Sequence, residues 1–325
     1  MNFSRILVRA TNWVGDAVMS LPALQAIRGR FPAAHIAILA KPWVADLYAR
    51  EHFADEVILY SGKPVWRVSR ELRARRFDAA ILLQNAFEAA LIAWLAGIPT
   101  RIGYNRDGRG ILLTNAIAVP KPGEIPRHER FHYLELLRRA GIIKQLPDCN
   151  AIQLAGRNGS PSGRVIGISP GAAYGSAKRW LPERFAEAAA ALATQRGASV
   201  ALFGSQSERA LCAEVAQRLN GHDVTNHAGQ TTLAQFIDLA AGCEIFLTND
   251  SGAMHIASAL GVPTVAIFGA TDDTTTGPTG THARVVRQPV ECSPCLLREC
   301  PIDHRCMKGV PAERVVEEAL RLLVD

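Results

Sequence analysis

The chain has 325 residues, 48% of them hydrophobic and 20% charged, with a formal net charge of +6. No apolar run reaches the roughly 18 residues a membrane-crossing helix needs, and Arg5, Arg9 and Asp16 break up the first apolar stretch, so neither a membrane span nor a signal-peptide core is expected. A chain of this length outgrows one ordinary core and predicts two α/β domains of comparable size, while seven cysteines, an odd number, suit a reducing cytoplasmic compartment better than a disulfide framework.

Charge is unevenly shared. Residues 1–155 hold 21 Lys and Arg against 13 Asp and Glu, whereas the remainder holds 15 against 17. A basic half suits a polyanionic partner such as nucleic acid, anionic lipid or a phosphorylated glycan, and it equally suits a merely solvated surface.

In chain order, residues 5–10 read as a buried strand, Thr11-Asn-Trp-Val-Gly-Asp16 as a turn, and 17–28 as a helix. Asp16 then falls at a strand-to-helix junction, on the carboxyl edge where doubly wound sheets keep their sites, although a helix cap would use the same residue. Apolar runs at 35–40, 56–60 and 78–84, with helical or loop sequence between, continue a parallel sheet with covering helices. Arg67, Arg70, Arg73, Arg75 and Arg76 belong to a helix with a solvated face, and 87–97 to a buried helix interrupted by Glu88. Residues 100–130 read as a loop rich in Gly, Pro and Arg, in which Arg101, Arg106 and Arg109 are placed to meet a phosphorylated ligand. A helix follows at 132–140. The Gly-Ser-Pro composition of 156–163 marks a linker, dividing a first domain at 1–158 from a second at 159–325.

The second half restarts the pattern. A strand at 165–169 leads into the loop Pro170-Gly-Ala-Ala-Tyr-Gly-Ser-Ala-Lys-Arg-Trp180, and Pro182 opens a helix to about 196. A strand at 199–203 ends in Gly204-Ser-Gln-Ser-Glu208, and 231–242, 244–248 and 311–323 read as helix, strand and final helix. Between them, residues 246–269 form a strand, a polar turn, a helix stopped by Gly261 and Pro263, and another strand. Backbone N–H groups around Ser251 and Gly252 would be orphan donors of that helix and favour an anion such as phosphate, while an ordinary turn in which Asp250 or Ser251 merely caps the helix fits the same residues. Neither half carries the G-x-G-x-x-G dinucleotide fingerprint, which speaks against a dehydrogenase. The expectation is α/β: two Rossmann-like doubly wound domains facing a central cleft, Asp16 projecting from the first, Lys178, Glu208 and the Asp250 turn from the second.

Asn12-Trp-Val-Gly-Asp16 followed by Leu21-Pro22-Ala23-Leu24, Lys178-Arg-Trp180, and Asn249-Asp-Ser-Gly-Ala-Met-His255 with Gly269-Ala-Thr-Asp272 together resemble the bacterial heptosyltransferases of glycosyltransferase family 9, over essentially the whole chain. The resemblance implies the GT-B architecture. It implies an inverting enzyme that moves heptose from ADP-heptose to the heptosyl-Kdo-lipid A inner core of lipopolysaccharide, at the inner face of the cytoplasmic membrane. It implies Asp16 as general base, Lys178 on the donor phosphate, Glu208 near the donor ribose, and Asp250, Ser251 and Gly252 around donor heptose and pyrophosphate. Asn12, Arg101, Arg106 and Arg109 are candidates for the phosphorylated acceptor. Thr11 stands where the family pattern suggests proline before Asn-Trp. Two other classes are kept: a related sugar-nucleotide transferase of different sugar specificity, and a non-catalytic nucleotide- or polyanion-binding protein. Under the leading reading no nucleic acid is expected.

No metal is demanded by the chemistry, and the Asp272-Asp273 pair is read as a loop cap. Cys292, Cys295, Cys300 and Cys306 form C-x2-C-x4-C-x5-C with His304 nearby. That spacing admits a structural zinc or iron–sulfur site, and it admits reduced thiols or a disulfide in a loop. His255, one helical turn past the Asp250 turn, is expected to pack rather than to react.

Overall fold

The computed structural model describes residues 1–61, 64–155 and 163–324. Two compact units are present, Met1–Cys149 and Asn150–Asp325. The expected domain boundary at 158, and the expected linker at 156–163 apart from Gly163, lie outside the described residues.

Unit 1 runs β1 (Arg5–Arg9), α1 (Val14–Met19), α2 (Leu21–Arg30), β2 (His35–Ala40), α3 (Pro42–Ala49), β3 (Glu56–Leu59), α4 (Val65–Ala74), β4 (Ala79–Leu82), α5 (Phe87–Leu95), β5 (Thr100–Tyr104), β6 (Asn115–Ile117) and α6 (Arg130–Arg139). All strands pair parallel in the order β3-β2-β1-β4-β5-β6. The short apolar strands, such as His-Ile-Ala-Ile-Leu-Ala in β2, are buried on both faces, as helices covering a parallel sheet require. α4 shows the division of labour on a covering helix: Val68, Ser69 and Leu72 face the core with Leu7, Leu39 and Leu82, while Arg67, Arg70 and Arg73 face solvent.

Two expectations change here. The single helix over 17–28 is two helices, because Pro22 has no N–H for the carbonyl four residues earlier and its ring crowds that carbonyl; the break falls at Ser20. The first helix also starts earlier, at Val14 with Trp13 as N-cap, so Asp16 lies inside its first turn. The expected loop over 100–130 contains β5 and β6, which its Gly, Pro and Arg content hides.

Unit 2 runs β7 (Val165–Ser169), α7 (Pro182–Arg196), β8 (Ser199–Leu202), α8 (Arg209–Arg218), β9 (Val224–Asn226), α9 (Leu233–Ala241), β10 (Ile245–Asn249), α10 (Gly252–Ala259), β11 (Thr264–Phe268), α11 (Asp273–Thr276), β12 (Ala283–Arg287), α12 (Arg305–Lys308) and α13 (Ala312–Val324). Its parallel order is β12-β11-β10-β7-β8-β9. Numbered within each unit, both sheets therefore read 3-2-1-4-5-6, the doubly wound order whose ligand crevice lies where the order reverses. That point is the carboxyl end of β1 and β4 in unit 1, and of β7 and β10 in unit 2. Unit 2 has its own core of Ile166, Ile168, Trp180, Phe185, Leu192, Val200 and Met307. Among the described residues no helix is long and apolar enough to cross a membrane.

Candidate functional site

In unit 1 the segments leaving β1 and β4 enclose a cavity of about 330 Å³, lined by Asn12, Trp13, Asp16, Gln84, Asn85, Arg106, Glu129, His132 and Tyr133 among others. The Tyr133 hydroxyl donates to Asp16 Oδ1 at 3.3 Å. Burial, reinforced by the Asp16 charge, holds that phenol well above its ordinary range, so it stays a donor. Burial and the same Asp16 charge push the Glu129 carboxyl up, with Arg106 opposing. Burial, and then Arg106, push His132 down to about 4, so its ring is neutral at physiological pH. Two carboxyl groups, a neutral imidazole, a phenol and one guanidinium thus share a partly enclosed space.

Asn12 is held from behind. Its Oδ1 accepts from Arg9 Nη2 at 3.1 Å, and Arg9 is 1% exposed, with Nη1 donating to the carbonyls of Ala10 and Leu39. Of the three arginines expected to meet an acceptor, only Arg106 lines the cavity. Arg109 is completely buried and donates to the carbonyls of Tyr104 and Gln84 and to Asn85 Oδ1, which makes it a brace of the β4 and β5 ends. Arg101 donates to the carbonyls of Ile98 and Leu112 and ties β5 to the 3₁₀ turn Arg109–Leu112. A ligand role for these two gives way to a framework role, because backbone acceptors already use their donors.

In unit 2, Lys178 lies in the 3₁₀ turn Ser176–Lys178 beyond β7, and Asp250 directly beyond β10. Lys178 Nζ donates to Asp250 Oδ2 at 2.5 Å, and Thr271 Oγ1 donates to the same oxygen at 2.5 Å. The Lys178 side chain is 12% exposed and that of Asp250 4%. The ammonium also stands 4.7 Å from the Tyr174 ring centroid. Asn249 fixes this arrangement: its Oδ1 accepts from Trp180 N at 2.9 Å and its Nδ2 donates to Pro170 O at 2.7 Å, stitching the loop after β7 to the end of β10. α10 starts at Gly252 with Ser251 as N-cap, yet no side chain caps it; the Ser251 hydroxyl pairs with Thr248 instead, at 3.2 Å. The first N–H groups of α10 are left for an anion.

Glu208 closes a capping box on Ser205, accepting from its N at 2.8 Å and its Oγ at 2.7 Å. It also lies against Gly171, where an added Cβ would come within 2.0 Å of Glu208 Oε1. A side chain at 171 would have to push the Glu208 carboxylate aside.

The four clustered cysteines line a single small cavity with His304. All are free thiols, and burial, with the three neighbouring thiols adding to it, pushes the Cys306 thiol up. Among the described residues no group of three or more His, Cys, Asp or Glu side chains is placed to hold a metal ion. The cysteine segment braces the Lys178 loop. Arg298 O accepts from Ala177 N at 3.0 Å, Leu296 O accepts from the Tyr174 hydroxyl at 2.8 Å, and His304 Nε2 is 3.1 Å from Ala177 O. Asp272 caps α11 through Thr274 N at 2.9 Å, and Asp273 pairs with Arg287, as a loop-capping role requires. His255 is buried in α10.

Sequence reasoning missed Tyr133, Glu129 and His132, which reach the Asp16 cavity from the far end of unit 1 and carry no local signal. It also missed Asn249 and Thr271 as positioning groups, although both stand inside the stretches that carried the resemblance.

The profile of glycosyltransferase family 9 (heptosyltransferase) matches residues 65–305. The lipopolysaccharide heptosyltransferase 2 of Escherichia coli K12 is 33% identical, with 99% of each chain covered. The lipooligosaccharide heptosyltransferase 2 of a Campylobacter jejuni strain is 31% identical over 98% of this chain and 99% of its own. Among solved structures, the E. coli ADP-heptose lps heptosyltransferase II superposes with a TM-score of 0.85 at 31% identity, covering 98% of both chains. A family 9 glycosyl transferase from Veillonella parvula shares the fold, with a TM-score of 0.84 at 21% identity over 99% of this chain and 98% of its own. The two doubly wound units are thus a GT-B-like architecture, and the chain belongs to glycosyltransferase family 9, the heptosyltransferases.

Proposed function

We propose that the enzyme transfers heptose from ADP-L-glycero-D-manno-heptose to the heptosyl-Kdo-lipid A inner core during lipopolysaccharide synthesis, with inversion at the anomeric carbon, at the cytoplasmic face of the inner membrane. The observation that carries this reading is the Lys178–Asp250 pair, held by Thr271 beside the uncapped start of α10. Transfer places growing negative charge on departing ADP. A fixed ammonium and a helix N-terminus stabilise that charge, more in the leaving state than in the bound donor, because both are oriented before the reaction begins. Positive charge from these groups serves the role a divalent cation would otherwise fill.

Asp16 in unit 1 takes the proton of the acceptor hydroxyl as the new C–O bond forms. Tyr133 orients its carboxylate, and Arg106 in the same cavity meets an acidic or phosphorylated substituent of the acceptor. Glu208, close to Gly171, contributes an acceptor oxygen for the donor ribose hydroxyls.

The test is ADP release from ADP-heptose in the presence of purified acceptor. Asp16→Asn is expected to keep donor affinity and to lose roughly a hundred- to a thousandfold in kcat. Lys178→Ala is expected to weaken the donor and slow turnover together. Full activity of the Asp16→Asn enzyme would sink the base assignment, and turnover only with a different sugar nucleotide would move the specificity elsewhere in the family.

A further inference from the structure

Unit 1 exposes five large aromatic side chains among the described residues, Trp13, Trp43, Trp66, Phe87 and Trp94, whereas unit 2 exposes no Trp or Phe of this kind. Four of the five hold the same place in the fold. Trp13 follows β1 as the N-cap of α1, Trp43 follows β2 as the second residue of α3, Trp66 follows β3 as the second residue of α4, and Phe87 follows β4 as the first residue of α5. In a parallel sheet all these positions lie on one edge. The strand order β3-β2-β1-β4 therefore sets them in the row Trp66, Trp43, Trp13, Phe87. They are 58%, 57%, 56% and 43% exposed. A single exposed tryptophan needs no explanation, but four large exposed rings at the carboxyl edge of one sheet call for one.

That row runs into the Asp16 cavity. Trp13 lines the cavity itself, and Trp43 Nε1 donates to the carbonyl of Asn12, another lining residue, at 2.7 Å. Cations interleave with the rings: Lys41 Nζ is 6.0 Å from the Trp43 ring centroid, and the Arg67 guanidinium 5.3 Å from that of Trp66. Flat apolar faces suit the C–H faces of sugar rings, and interposed cations suit their carboxylate or phosphate substituents. We propose that this aromatic row is the platform on which the anionic oligosaccharide of the acceptor lies, several sugar units long, feeding its terminal hydroxyl to Asp16. The proposal rests on Asp16 acting as the base, and it adds a determinant of acceptor length that the base alone does not supply.

The experiment measures KM for an acceptor stripped of its acyl chains and for the intact acceptor in vesicles, using Trp66→Ala, Trp43→Ala and Trp66→Phe, with Trp94→Ala as the control outside the row. Both alanine variants are expected to raise KM for the deacylated acceptor about tenfold, which corresponds to about 1.4 kcal/mol. KM for ADP-heptose should stay where it is, and Trp66→Phe should recover most of the loss. An unchanged KM for the deacylated acceptor in both alanine variants overturns the proposal. So does a rise seen only with the acylated acceptor, which would assign the row to the lipid surface. If Asp16→Asn stays fully active while the alanine variants still lose acceptor affinity, the base assignment fails and the platform stands.

Discussion

His132 sits in the Asp16 cavity with its pKa pushed down to about 4 by burial and by Arg106, against an ordinary value of 6.5. Between those two pH values the unfolded chain takes up a proton that the folded chain refuses. Stability is therefore undisturbed by this group above pH 6.5 and falls as pH drops through the window, by at most about 3 kcal/mol. Urea midpoints at pH 7 and pH 4.5 are expected to differ, and His132→Gln should remove part of the difference; an equal slope in that variant would assign the acid sensitivity elsewhere. Glycines make a second argument at this scale. A Cβ at Gly175 would lie 2.1 Å from the backbone carbonyl of Arg298, whereas one at Gly171 would meet the Glu208 carboxylate, the movable end of a side chain. Gly175→Ala should thus lower stability by about 1–3 kcal/mol, as overpacking does, with Gly171→Ala costing less. Unfolding midpoints of the two variants check the order.

The segments that carry the candidate site are short and irregular, and neighbouring segments hold them beside their own turn hydrogen bonds. The loop bearing Lys178 is pinned on one side by Asn249 and on the other by the cysteine segment, through Leu296, Arg298 and His304. A structural zinc or iron–sulfur group on Cys292, Cys295, Cys300 and Cys306 remains a proposal with a direct check. In protein purified without added metal, four reactive thiols per chain and no zinc or iron are the outcome expected of a reduced-thiol segment. One metal per chain in elemental analysis would reverse that expectation and make the brace metal-dependent. Pro22 acts at the same scale: by ending one helix and starting another it leaves Asp16 in a single short turn, α1, whose position is set by packing rather than by a long helix axis.

Each unit owns a core, and the groups proposed to hold the donor belong to unit 2 alone. Trp180 is the one tryptophan among the described residues that is buried, at 1% exposure in the unit 2 core, with its backbone N–H bonded to Asn249. Its fluorescence therefore reports unfolding of unit 2. ADP at a hundredfold over its Kd is expected to stabilise that transition by about 2.7 kcal/mol, with Lys178→Ala abolishing most of the shift. An ADP-induced shift confined to unit 1 amide exchange would contradict the placement of the donor.

The alternation of short apolar runs with helical stretches was enough to establish two doubly wound halves, because covered parallel strands must be apolar and helices must cover them. Asp16, Lys178, Glu208 and the Asp250 turn were legible for a related reason: each follows a strand, and strand ends at a sheet's carboxyl edge are where such folds place ligands. Arginine roles were not legible. Arg101, Arg106 and Arg109 look alike in sequence, and only the packing of β5 against its neighbours turned two of them inward onto carbonyls and left Arg106 in the cavity. Tyr133, Glu129 and the aromatic row share that origin. Their meaning comes from which strand lies beside which, a property of chain-distant pairing that local composition and periodicity do not encode.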